Sequence, residues 1–180
     1  FFFNQGAEMI TAPFLLDQLF ESVGRRRVDY FKLVETYPVF QALWPNGRRF
    51  ALYPSVEETL TLNEFWEPAD KAALEKRIRE NDAIFDQFFF DYCGRPVDER
   101  FLSFRNNGWF RRLDPNQSCC DAAQKAFTSV EMRQLMGFWP LLAGGDPRKG
   151  SQLFRLVPQL FHRWGASAPI GGTQIIVDSL

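Results

Sequence analysis

Apolar positions recur with helical spacing soon after the start of the chain. Leu15, Leu16, Leu19, Phe20 and Val23 mark one face of a segment that Pro13 suits to a first turn and Gly24 can end, with Thr11 as its candidate cap. Before it, "FFFNQG" reads as a short buried strand entering a glycine turn. The period then changes. "VFQALW" and "RRFALYP" are β-rich runs around Pro45-Asn46-Gly47, where proline presets the first turn position and Gly47 takes the positive φ of a bulged hairpin. Ser55 and Glu58 form a capping box for a helix through about Phe65.

Pro68 opens a longer helix, with Leu74, Ile78, Phe85, Phe88 and Phe89 at helical spacing, punctuated by Gly94-Arg95-Pro96. Residues 95–117 mix arginine and aromatics with little period and read as irregular or as holding one short helix. Ser118-x-x-Asp121 and Thr128-x-x-Glu131 predict helices over about 119–127 and 129–142, the second bent by Pro140 and ended by Gly144-Gly145. Asp146-Pro147 predicts a further helix, kinked at Pro158, with Leu153, Phe154, Val157, Leu160, Phe161 and Trp164 as its stripe. The fold class that follows is α+β: mostly helical, with a small antiparallel sheet built on a 39–53 hairpin, and residues 1–180 as a single region.

Composition sharpens this picture. Lys and Arg number 21 against 22 Asp and Glu, which gives no electrostatic reason to expect a nucleic-acid partner. Phenylalanine is in excess at 20 copies, as a bulky core or an apolar ligand channel requires. Three cysteines, two of them adjacent (Cys119, Cys120), are no disulfide framework and read as reduced thiols in a cytoplasmic setting. No apolar run reaches the roughly 18 residues of a membrane span. The first ten residues lack a basic leader and an initiator methionine, so the chain reads as a cut through a longer protein.

The residues of catalysis are sparse. His162 is the sole histidine, near a helix end, where a surface position is expected. No cysteine pair has zinc spacing, so no metal site is expected. Neither a phosphate-binding loop nor G-x-G-x-x-G is present. Arg25-Arg26-Arg27 reads as a solvated loop, and Glu57, Glu58, Asp86 and Asp91 as helix-surface acids. What stands out is a glycine at each end, Gly6 after an apolar strand and Gly171-Gly172 after Pro169.

Two blocks carry a resemblance. "FFFNQGAEMITAPFLLDQLFESVGRRRVDYFKLVETYPVFQALWPNGRRFALYPS" and "LFRLVPQLFHRWGASAPIGGTQIIVDSL" are similar to the carotenoid (phytoene) desaturase-like branch of the flavin amine oxidase superfamily. They cover about half the chain; the stretch 90–135 matches only in being helical. The resemblance implies the substrate-binding region of an FAD-dependent oxidoreductase acting on an isoprenoid or carotenoid-type substrate. The Rossmann segment would lie outside these residues, so the chain alone is not expected to bind FAD or to be active. Gly6, Ala7, Gly171, Gly172 and Thr173 would face the flavin ring, where a missing side chain lets backbone come close.

Where that family has Gly-Pro-Thr or a relative, this chain has Gly6-Ala7-Glu8, which makes Glu8 the one candidate catalytic group. Because the cofactor carries the redox chemistry, the protein's task would be a dry channel. Its candidate lining is Phe85, Phe88, Phe89, Phe90, Phe138, Trp139, Phe154, Phe161 and Trp164. The implied partners are an apolar small molecule, the absent flavin-binding domain and a peripheral contact with a membrane surface. Two other readings stand beside it: an amine-oxidase-like or porphyrinogen-oxidising flavoenzyme fragment, and a non-catalytic helical module for an apolar ligand or protein partner.

Overall fold

The computed structural model describes residues 9–89, 113–114 and 116–180. The expected first strand, the Gly6–Glu8 seam, Phe90, Asp91, Cys93 and most of the irregular stretch lie outside the described residues. Contacts divide the chain into two compact units.

The first unit takes in the described residues of Phe1–Leu43 with Arg49–Leu62 and Leu160–Leu180. Helix α1 spans Pro13–Glu21, with proline in its first turn. Its cap position is Ala12, not the expected Thr11, and no side chain caps it. Proline lacks an N–H, so one of the unpaired donors of the first turn is absent, and the Leu15 amide donates to the Ala12 carbonyl at 3.1 Å. Only Phe20 of the predicted apolar face is buried, against the rings of Tyr30 and Phe31 at 5.1 and 6.0 Å. Leu15, Leu19 and Val23 remain 49%, 47% and 71% exposed, so that face is not a core face within this chain.

Strand β1 (Leu33–Glu35) pairs antiparallel with β4 (Ser167–Pro169), Leu33 opposite Pro169. The hairpin forms as predicted: β2 (Phe40–Leu43) pairs with β3 (Arg49–Leu52) in the register Phe40↔Leu52, and Gly47 has φ +83°. Helix α2 (Val56–Thr61) is capped by Ser55, whose hydroxyl accepts from the Glu58 amide at 3.3 Å. It ends four residues before the expected Phe65.

The second unit holds Trp44–Arg48 and Asn63–Gln159. Helix α3 (Pro68–Phe88) buries Leu74, Ile78 and Phe85 on one side. Helices α4 (Cys119–Ala126) and α5 (Val130–Gly137) pack closely. A Cβ on Gly137 would come within 3.4 Å of the Cys120 Cα. Ser118 caps α4 as predicted, accepting from the Asp121 amide at 3.0 Å. The cap of α5 is Ser129 and not Thr128: the Ser129 hydroxyl accepts from the Met132 amide at 3.3 Å, and the buried Asp70 carboxylate takes the Thr128 and Ser129 amides at 2.6 and 3.0 Å.

Past Gly137 the chain tightens into a 3₁₀ turn, Trp139–Ala143, with Pro140 in its first turn and Gly144 closing it at φ +72°. The expected long helix over 129–142 is therefore two elements, as a proline without its N–H dictates. Asp146-Pro147 starts no helix. The Asp146 carbonyl instead closes a turn, accepting from Lys149 and Gly150 at 3.0 and 2.7 Å. Ser151 then caps a 3₁₀ segment, Gln152–Leu156, and α6 (Val157–Trp164) follows. The core of this unit centres on Phe85, Leu113, Met132, Leu135, Trp139 and Leu156.

Candidate functional site

The C-terminal glycine pair lies in the first unit. Strand β4 leads through Ile170, whose amide donates to the Lys32 carbonyl at 3.0 Å, into Gly171 and Gly172 with φ of +95° and +89°. Thr173 then opens a short helix α7 (Gln174–Asp178). A Cβ on Gly171 would meet nothing closer than Ile175 Cδ1 at 3.8 Å. Backbone sign, not crowding, selects glycine here, and the outcome is a solvent-facing turn bare of side chains. Such a turn lets another surface come close to the backbone.

Gly6, Ala7 and Glu8 are outside the described residues, yet the chain just after them is placed. Ile10 exchanges both backbone hydrogen bonds with Ser167, at 2.8 and 2.9 Å. The strand leading to Gly171 is thus paired two residues beyond Glu8.

The predicted aromatics divide by unit. In the second, Phe85 and Trp139 are each 1% exposed and belong to the core. Phe88, Phe89, Phe138 and Phe154 are half-buried. Phe85 stacks on Phe89 at 5.7 Å, and Phe138 touches Trp139 at 4.6 Å. In the first unit, Phe161 is buried and the half-buried Trp164 packs on Phe14 at 5.0 Å. An open cleft of about 350 Å³ in the second unit is lined by Asp114, Asn116, Gln117, Asp121, Gln124 and Lys125, a polar wall unsuited to a hydrocarbon. No group of three or more metal-ligating side chains occurs among the described residues.

No family model matches the chain. Curated proteins do. A phytoene desaturase (lycopene-forming) of Pseudescherichia vulneris is 29% identical over 188 residues, and one of Pantoea ananas is 26% identical over 188. Each alignment covers 100% of this chain and 37% of the relative, so the chain spans little more than a third of their length. A 4,4'-diaponeurosporene oxygenase of Staphylococcus aureus (strain USA300) is 24% identical over 186 residues. Along its whole length the chain is similar to carotenoid desaturases.

The chain also carries polar groups that sequence reasoning missed. Arg155 is largely buried in the second unit, with Glu80 Oε2 at 3.5 Å and Gln152 Oε1 at 3.4 Å. Burial first, and the neighbouring Arg77 second, lower it to about 10. Burial pushes the Cys119 thiol up to about 11, and that thiol donates to the Met136 carbonyl. Nothing local in "LFRLVP" separates a buried arginine from a surface one.

At the hairpin tip, Glu131 accepts from Asn46 Nδ2 at 2.9 Å and Arg48 Nη1 at 2.7 Å, while the Arg48 guanidinium lies over Trp66 at 5.2 Å. Trp44 packs edge-on to Trp66 at 5.3 Å and donates to Gln134. His162, expected at the surface, is half-buried in the first unit with Nδ1 3.3 Å from the Pro54 carbonyl. Of the expected solvated arginines, Arg27 is 11% exposed and paired with Asp17 at 2.7 Å. No helix among the described residues is long and apolar enough to cross a membrane.

Proposed function

We propose that the chain is the substrate-binding region of an FAD-dependent carotenoid desaturase. The observation that carries this reading is alignment with phytoene desaturases along all of its residues. When bound, FAD supplies the hydride acceptor for turning a carbon–carbon single bond into a double bond, with a proton released. The chain's own part is positional. Taken unit by unit, the bare turn at Gly171-Gly172 in the first gives a ring an edge to rest on, and in the second the half-buried Phe88, Phe89, Phe138 and Phe154 are apolar contacts offered to a polyene. The phosphates of FAD fall to residues beyond these 180, which lack a glycine-rich phosphate loop.

A lipid-soluble substrate also calls for contact with a membrane surface, and the exposed Leu15, Leu19 and Val23 beside Arg25 and Arg26 suit an anionic interface. The test is the complete protein with FAD and phytoene in liposomes, its products resolved by absorbance after chromatography. Longer conjugated polyenes are expected. Phytoene left unchanged by flavin-loaded protein overturns the reading, and an oxygenated product moves it toward the chemistry named for the staphylococcal relative. The 180-residue chain alone is expected to purify colourless; a yellow, flavin-loaded fragment contradicts the division of labour.

A further inference from the structure

Helix α3 meets the stretch 155–159 through polar side chains as well as apolar ones. Asn81, 3% exposed, donates from Nδ2 to the Arg155 carbonyl at 2.8 Å. Gln159, 2% exposed, donates from Nε2 to Asp82 Oδ1 at 3.2 Å. Each bond fixes its amide, because a flip would set oxygen against oxygen. Asn81 Oδ1 and Gln159 Oε1 are therefore true acceptors, and both are buried with no protein donor. Arg155 Nε is a buried donor with no protein acceptor. Asn81 and Asp82 follow one another on α3, residues 155 and 159 are about one helical turn apart, and the two bonds join these pairs, so the three residues meet at one crossing.

The mixture of atoms selects the occupant. An anion suits the guanidinium but is repelled by two carbonyl oxygens. A cation suits the oxygens but not Arg155. An apolar group satisfies none of them, and each buried polar atom left bare is costly. A small neutral molecule with two donors and a lone pair answers all three.

We infer that this crossing is a built water site, in which ordered water accepts from Arg155 Nε and donates to Asn81 Oδ1 and Gln159 Oε1. The inference is independent of the desaturase reading, since it concerns a polar joint between helices and no substrate.

The test is a crystal structure of the complete protein at a resolution that shows ordered solvent, repeated after a bromide soak. Solvent density within hydrogen-bonding distance of Arg155 Nε and of an amide oxygen is expected, unchanged by bromide. A dry crossing, or bromide in its place, overturns the inference. A second measurement needs no crystal. Thermal unfolding of Gln159→Met is expected to show a lowered Tm, because a satisfied amide has been lost. A Tm equal to or above that of the parent means the amide oxygen was bare, and sinks the proposal.

Discussion

The Asp70 carboxylate sets the N-terminus of α5 from the first turn of α3, and its removal is the most informative single perturbation. Asp70 is fully buried, and its two oxygens accept the amides of Thr128 and Ser129 at 2.6 and 3.0 Å. In Asp70→Ala both donors lose their partner. Thr128 is exposed, so water can replace one bond at little net cost, whereas Ser129 is 8% exposed and its amide is left bare. A hydrogen bond to a charged group contributes about 1.5–3 kcal/mol, and the second, partly compensated bond about 0.5–1. The expected loss is therefore about 2–4 kcal/mol. With a urea m-value of about 2 kcal/mol/M, the midpoint falls by about 1–2 M at unchanged slope.

Asp70→Asn keeps one acceptor and turns an NH₂ toward an N–H, so it should lie between parent and Ala. Far-UV circular dichroism across a urea series measures both, and hydrogen exchange at the Ser129 amide reports the local opening. If Asp70→Ala shifts stability by less than about 0.5 kcal/mol, the range of an ordinary surface change, the tether argument is wrong.

Other consequences are equally direct. Glu131 is held below the ordinary carboxylate range by its own backbone amide, then by Asn46 and Arg48. A depressed folded value means stability that is full above the unfolded pKa and fades as pH drops through the folded one. The Tm gap between parent and Glu131→Gln should therefore shrink on acidification below about 4.5, and parallel pH profiles would refute the linkage. Cys119 is 1% exposed with its thiol raised to about 11, so a thiol reagent at mildly alkaline pH should label the half-buried Cys120 before Cys119. Mass spectrometry of peptides decides it, with equal rates counting against the burial. A Cβ on Gly150 would sit 2.8 Å from Pro140 Cβ, so Gly150→Ala should lose about 1–3 kcal/mol in the same urea assay; a neutral result would mean the 146–150 turn yields freely.

Local signals were legible and distant ones were not. Pro45-Asn46-Gly47 specifies its hairpin because the turn dictates the register of its strands. Ser55 and Ser118 cap as read, since a cap reaches only three residues ahead. The cap of α5 fell one residue past Thr128, where Asp70, 58 residues away, also holds the entering backbone. The β1–β4 pairing is likewise invisible locally. Leu33–Glu35 and Ser167–Pro169 are too short to announce themselves as strands. The apolar face of α1 had the right period, but period says nothing of what covers a face. Of the candidate site, the Gly171-Gly172 turn was readable from two glycines after a proline. The aromatic list was readable only as a list, because Phe85, Trp139 and Phe161 serve the core while their neighbours stay half-open.

The antiparallel join of β1 with β4 has a bearing on how the polypeptide is made. Thr36 binds the Ala166 carbonyl across 130 residues, so the first unit cannot finish until the ribosome has delivered nearly everything described here. Asn63–Gln159 is synthesised in the meantime, while β1 waits with an unclaimed edge. Expression yield should therefore respond more to chaperone supply and to translation speed over the codons for Leu160–Leu180 than to changes inside the helical unit.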